Sequence, residues 1–301
     1  MTIGRDRGPT LVRSVAATVS SADMSELPVF TAARYVQPLR EGGSLPAVVD
    51  TDAGGLFVAK FRGAGQGVKA LIAELVAGLL ALELGLPVPE LALIDVPESF
   101  GKSEPDPEIQ DLLRASHGIN FGIRYLDGAF NFDVSAAGEF ISPDLAARIV
   151  WFDAFLSNPD RTHRNPNLLI WNREPWLIDH GAALYVHHDW PSVDKAKTRA
   201  PFPLIRSHVL LSGSGEIDDV DAEIAGSLST EVIERVIAAV PDTLLSDASV
   251  AVDFPDFDAT RRRYVSYLTA RLESPRAFVE EAIAACDRAR RSVPIRLAAR
   301  R

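Results

Sequence analysis

The chain is short of several things, and each shortage removes a class of protein. One cysteine, Cys286, stands in 301 residues. No intrachain disulfide can staple a small secreted fold, and the composition fits a reducing compartment such as the cytoplasm. An apolar run of the roughly 20 residues that a membrane-crossing helix requires is missing. The greasiest stretch, 70–86, is interrupted by Glu74 and Glu83. The N-terminal residues lack the charged-then-apolar order of a secretory leader. Basic surplus is absent too: 31 Lys and Arg face 41 Asp and Glu, a formal charge of −10. That balance argues against nucleic-acid binding through phosphate neutralisation. The local run Arg261, Arg262 and Arg263 reads as a solvated helix face. The chain does have apolar residues, at 47%, enough for the full core of one two-part enzyme or two ordinary domains.

The stretch 151–184 organises the rest. It opens as the end of an amphipathic helix over 141–156, with Ser142-Pro143 as N-cap and first-turn proline. The helix breaks at Asn158-Pro159, and a polar loop follows with Asp160, His163, Arg164, Asn165 and Asn167. Two apolar runs, 168–171 and 175–178, flank Asn172-Arg173-Glu174, which suits a tight hairpin turn. The second run delivers Asp179 directly before His180-Gly181. An aspartate, an amide five residues on, a hairpin and a second aspartate before glycine suit phosphoryl transfer from a metal nucleotide. One carboxylate positions a hydroxyl; the amide and the other carboxylate hold magnesium on the phosphates. Turn chemistry alone would also explain an isolated aspartate–asparagine pair, so the remainder of the chain must decide.

Upstream, short runs near 30–38, 47–50 and 56–61, separated by glycine-containing turns, read as an antiparallel meander. Lys60 is a cation among Val58, Ala59 and Phe61. It is either an outward-facing strand charge or a group that reaches phosphates held beneath the turn of Gly42, Gly43 and Ser44, where backbone amides can approach. A helix follows from Val68, its apolar residues Leu71, Leu75, Leu79 and Leu82 at helical spacing until Gly85. Glu74 lies one step off that stripe, positioned to pair with Lys60. A strand is expected at 91–96, an exposed insertion at 98–118 with a short helix, another strand at 119–126, and a hinge at Asp127-Gly128. Amphipathic segments 230–240 and 259–289, broken at Pro241 and Ser274-Pro275, predict a helical C-terminal part. His187, His188 and Asp189 invite a metal reading, but no further ligand is spaced to complete a site, and they stay unassigned.

The order of these parts resembles the HipA-like kinases, a bacterial branch related to phosphatidylinositol kinases, over about residues 30–215. The resemblance rests on Glu41-Gly42-Gly43-Ser44, Phe57-Val58-Ala59-Lys60, the run 74–90 ending Leu-Gly-Leu-Pro-Val-Pro-Glu, the loop 158–165 and Asp179-His180-Gly181. The His-Arg-Asp and Asp-Phe-Gly signatures of ordinary protein kinases are missing. The resemblance implies an α+β, bilobal, protein-kinase-like fold. It has a poorly ordered leader over 1–28, an antiparallel-sheet N-lobe with one helix over 29–126, and a mainly helical C-lobe over 127–301. It implies ATP and Mg2+, with Asp160 as catalytic base and Asn165 and Asp179 as metal ligands, Asn167 being the alternative amide. Lys60 becomes the phosphate clamp, Glu74 its partner, and Gly42, Gly43 and Ser44 the phosphate-covering turn; Ser44 is also an autophosphorylation candidate, as in some relatives. The implied acceptor is a protein Ser or Thr hydroxyl, with no membrane and no nucleic-acid partner. A small-molecule or lipid-headgroup hydroxyl, or a nucleotide-binding module without transfer, are the alternatives. The extra N-terminal subdomain of full-length HipA toxins is not expected, so toxin activity and an antitoxin partner stay unassigned.

Overall fold

Five strands near the N-terminus close on themselves: β1 (Val29–Pro38), β2 (Ala47–Thr51), β3 (Leu56–Lys60), β4 (Leu91–Val96) and β5 (Gly118–Arg124), in the order β1-β2-β3-β5-β4. The computed structural model describes residues 27–39, 45–52, 55–102, 104–134 and 137–292. The expected leader up to residue 26 and the turn carrying Gly42, Gly43 and Ser44 lie outside the described residues.

The meander of β1, β2 and β3 is antiparallel as expected, but the sheet as a whole is not. β1 also runs parallel to β4, with Val29 opposite Leu93, and β5 inserts between β3 and β4. A twisted five-stranded sheet that curls until its outer strands meet leaves no open edge, and here the outer strands meet in parallel. Strand alternation sorts β3: Phe57 and Ala59 point into the barrel core with Val49, Ala92 and Ile94, while Val58 and Lys60 take the opposite face. The 98–118 insertion is less exposed than its polar composition suggests. Phe100 and Leu113 of α2 (Pro107–Arg114) are buried in the barrel's core cluster, and Ser116 Oγ accepts from the Gly63 N–H at 3.2 Å.

α1 (Gly67–Glu83) is buried on every side from Val68 to Ala81, Lys69 and Glu74 included, so it is an interior helix whose charges must be paired. It stops where Gly85 turns left-handed (φ +65°), the Leu86 N–H returning to the Ala81 carbonyl at 2.9 Å. Gly78 lets the helix approach β4; a Cβ there would come within 2.8 Å of Leu91 Cδ1. Ion pairs fix both ends of α1 to the helical part: Lys69 with Asp253 at 3.5 Å and Glu83 with Arg235 at 2.6 Å.

Beyond β5, a short β6 (Phe130–Asn131) that the sequence did not announce pairs with a hairpin of β7 (Leu168–Trp171) and β8 (Glu174–Leu177). Between them lie α3 (Ala137–Phe140) and α4 (Pro143–Leu156), the latter capped by Ser142 Oγ accepting from Leu145 N–H at 3.2 Å. The remaining helices are α5 (Lys195–Thr198), α6 (Ile217–Ser227), α7 (Thr230–Ala238), α8 (Asp242–Leu245), α9 (Ala248–Ala251), α10 (Phe257–Leu272) and α11 (Ala277–Ser292). The breaks between α7 and α8 and between α10 and α11 coincide with the two prolines. One core cluster runs from α1 through α4 to α10 and α11, so α1 is packed on the barrel and on the helices at once. No helix among the described residues is long and apolar enough to cross a membrane.

Candidate active site

Lys60, at the end of β3, is almost wholly buried, and its Nζ donates to Glu74 Oε1 on α1 and to Asp179 Oδ1 at 2.6 Å. Two carboxylates far apart in sequence thus share one ammonium. The outward-facing reading of Lys60 fails because the helix after the strand folds back over that face. Burial by itself lowers the ammonium pKa, yet the two carboxylates raise it, so the lysine stays charged. Burial pushes Glu74 up to about 7, opposed by Lys60 and reinforced by the Asp179 charge. Asp179 would also rise on burial, but Lys60 holds it below the usual carboxylate range. The His180 backbone N–H also favours the charged form of Glu74. A Cβ at Gly181 would sit 3.1 Å from Glu74 Oε1, tighter than an ordinary contact, so the glycine leaves the carboxylate its place.

The hairpin brings the second group together. Asn172 and Arg173 both have positive φ, 51° and 67°, a two-residue turn that sets Trp171 opposite Glu174 and Leu168 opposite Leu177. At its base the Ile178 N–H donates to the Asn167 carbonyl at 3.1 Å. Asn167 and Asp179 then leave the hairpin side by side, each with left-handed backbone (φ 49° and 55°), a conformation that Asn and Asp tolerate. Asp160 is held by both candidate amides. Asn165 Nδ2 donates to Asp160 Oδ2 at 2.9 Å, and Asn167 Nδ2 donates to the Asp160 carbonyl at 3.2 Å. Burial, helped by the Asp179 charge and opposed by the amide hydrogen bonds, raises the Asp160 carboxyl.

A cleft of about 990 Å³ meets the two groups at Lys60, Asp179, Asn165 and Asn167, with Glu74 and Asp160 one contact behind them, at the large end of the range for ligand sites. Lys60, Asp179, Asn165 and Asn167 form its polar wall; Val58, Ile123, Leu126, Phe130, Leu168 and Ile178 form its apolar one. The expected hinge lies at its back, where the Asp127 carbonyl accepts from Trp171 Nε1 at 2.9 Å. Among the described residues no three His, Cys, Asp or Glu gather into a metal cage, and His187, His188 and Asp189 form none. One carboxylate and one amide oxygen beside a cleft instead suit Mg2+, which takes few protein ligands and completes its shell with phosphate oxygens and water.

Beneath this site lies a charged hub that sequence reasoning missed. Asp153 of α4 is fully buried and accepts from Asn158 Nδ2 at 2.9 Å, Arg161 Nε at 2.6 Å and, in the appropriate tautomer, His208 Nε2 at 3.0 Å. Burial would raise its pKa, but Arg161 and His208 hold it well below the carboxylate range. Arg161 also donates through Nη1 to the Asn167 carbonyl and to the Ile178 carbonyl at 3.4 Å. One carboxylate therefore ties the polar loop, the hairpin base and the 208–210 segment together. An acid amid Ile149, Val150, Trp151, Phe152, Ala154 and Phe155 was the available signal.

Buried histidines make the fold acid-sensitive. Burial lowers His180 to about 3, and lowers His187 and His208 as well. Above a pH of about 6.5 neither the folded nor the unfolded chain protonates them. Below it the unfolded chain binds protons that the fold resists, so each histidine removes up to about 1.4 kcal/mol per pH unit until its own lowered folded pKa is reached. Glu74 acts oppositely, its raised pKa adding stability as pH falls from about 7. Three histidines outweigh one glutamate, so guanidinium unfolding should show a clear loss of stability between pH 7.5 and 5.5. A flat profile there would mean that these imidazoles are not held neutral.

A family model described as HipA-like kinase matches residues 33–196. A search of curated proteins returned no match. Among solved structures, the chain is similar to the Helicobacter pylori proinflammatory kinase CtkA, with 12% identity and a TM-score of 0.45 over 87% of this chain and 98% of that one.

Proposed function

The chain belongs to the HipA-like kinase family, and from that premise we propose that it transfers the γ-phosphoryl group of magnesium-bound ATP to a protein Ser or Thr hydroxyl. The observation that carries this reading is the convergence of Lys60, Asp179, Asn165 and Asn167 on one cleft with an apolar wall, Lys60 being held by Glu74 and Asn165 by Asp160. In this reading the barrel with α1 is one lobe, the part from residue 127 onward is the other, and the nucleotide lies between them with its base on the apolar wall. The turn with Gly42, Gly43 and Ser44 would cover the phosphates.

Lys60, held by Glu74, orients the phosphates. Asp179 with the Asn167 amide oxygen would hold the metal, because the two residues flank one hairpin base; Asn165 then fixes the Asp160 carboxylate. Magnesium, when bound, neutralises phosphate charge. Asp160 accepts the proton of the acceptor hydroxyl as that oxygen bonds to the γ-phosphorus. The bond from phosphorus to the β–γ bridging oxygen breaks, its electron pair leaving with ADP, and Asp160 passes the proton to solvent. A raised carboxyl pKa improves it as a base at neutral pH. Positioning and charge neutralisation supply most of the rate, since the transferring group needs little covalent help.

Asp160→Asn keeps size and hydrogen bonding and removes the base. Transfer from labelled ATP should fall by about 100-fold or more while ATP affinity, measured by calorimetry, holds. Unchanged turnover in the variant would falsify the assignment.

A further inference from the structure

Acidic residues are abundant in this chain, 41 of them, yet the segments 161–173 and 195–215 are both free of them. Together they carry seven Lys and Arg. The fold brings these two segments into contact directly beside Asp160. The Val209 N–H donates to the Arg161 carbonyl at 3.0 Å, and Thr162 and His208 form an antiparallel bridge. Two residues beyond that bridge on either side stand Arg164 and Arg206, both exposed, with Arg164 also lining the nucleotide cleft. His163 is exposed between them and close enough to influence His208. Arg161, by contrast, is buried and its charge is taken up by Asp153. Neither Arg164 nor Arg206 has an ion-pair partner among the described residues, whereas Arg124, across the cleft, is already paired with Glu90 at 2.7 Å. Leu204, 51% exposed, adds an apolar contact on the same segment.

Resting on the kinase reading above, we propose that Arg164, Arg206 and Leu204 form the acceptor-docking rim, and that it selects a Ser or Thr in an acidic peptide segment. Uncompensated guanidiniums at the mouth of a protein with net charge −10 are a focused positive potential: they draw an acidic segment in and repel a basic one. Guanidinium forks suit carboxylates, which they can grip with two parallel hydrogen bonds. An acidic segment also needs such help, because Asp160 and Asp179 would otherwise repel it from the hydroxyl-binding position.

The test compares serine peptides of equal length, one with Asp and Glu flanking the acceptor and one with Lys and Arg, using labelled ATP and the full chain. The wild type should favour the acidic peptide by about tenfold or more in kcat/KM, with KM rising as salt is added. Arg206→Glu should shrink or invert that ratio, with an unchanged melting temperature, because Arg206 is exposed and holds nothing; Arg206→Lys should retain most of it. Equal use of both peptides, a preference for the basic one, or ATP hydrolysis with neither peptide labelled overturns the rim. If the wild type neither hydrolyses nor transfers phosphate, the kinase reading itself fails, a different result from a failed rim.

Discussion

Lys60→Met should lose phosphotransfer by about 1000-fold and also destabilise the fold by about 3–5 kcal/mol. Two consequences in one substitution follow from where the ammonium sits. It is the shared partner of Glu74 and Asp179, and Glu74 is 2% exposed. Removing it takes the phosphate-orienting charge from the cleft and leaves a carboxylate in the interior with little but the His180 N–H to satisfy it. The two losses separate in a second variant. Lys60→Met with Glu74→Gln deletes the stranded charge, so stability measured by guanidinium unfolding should return most of the way, while transfer stays lost. The single variant should also respond to pH. With Lys60 gone, Glu74 has a folded pKa raised further above its unfolded one. Its stabilising proton is fully bound at acid pH and lost as pH rises through that value. The stability gap to wild type should therefore narrow from pH 8 to 6. If Lys60→Met melts like wild type at pH 8, the buried pairing does not exist in solution.

The same pair shows what the sequence discloses and what it withholds. Lys60 and Glu74 could be matched because a strand and the helix after it must pack face to face, a local relation that residue spacing records. The hairpin was legible for the same reason: Asn172 and Arg173 stand between two apolar runs of equal length. The parallel pairing of β1 with β4 was not, because both strands carry the same alternation whichever neighbour they choose, and closure depends on the twist of the whole sheet. The proposed choice of Asn167 over Asn165 draws on register, since pairing across the hairpin sets Asn167 beside Asp179. The insertion over 98–118 misled by composition. Pro105, Asp106, Pro107, Glu108 and Asp111 face solvent, while Phe100 and Leu113 carry the packing and Ser116 is buried with them. The docking rim depends on a bridge between segments more than forty residues apart, and a string of residues does not show that Arg164 and Arg206 flank it.

Asp153→Ala should be the most damaging change outside the cleft, costing about 3–5 kcal/mol of stability, and it should disable transfer even at temperatures where the chain remains folded. Its carboxylate is the only negative charge among its own partners, so its removal strands the buried Arg161 guanidinium, whose Nη2 already lacks a partner. Arg161 is also the donor to the carbonyls of Asn167 and Ile178, which flank the base of the hairpin. Once uncompensated, the arginine must move toward water, and the relative placement of Asp160, Asn167 and Asp179 moves with it. A milder variant distinguishes positioning from mere folding. Asp153→Asn keeps the shape but weakens the grip on Arg161 and His208, so at 20 °C it should fold and bind ADP, yet show a lower kcat with KM for ATP near wild type. His208→Gln, which can still donate to Asp153, should be the gentler of the two. If Asp153→Asn transfers phosphate at the wild-type rate, the hub serves folding alone and the catalytic loop is held by its own amides.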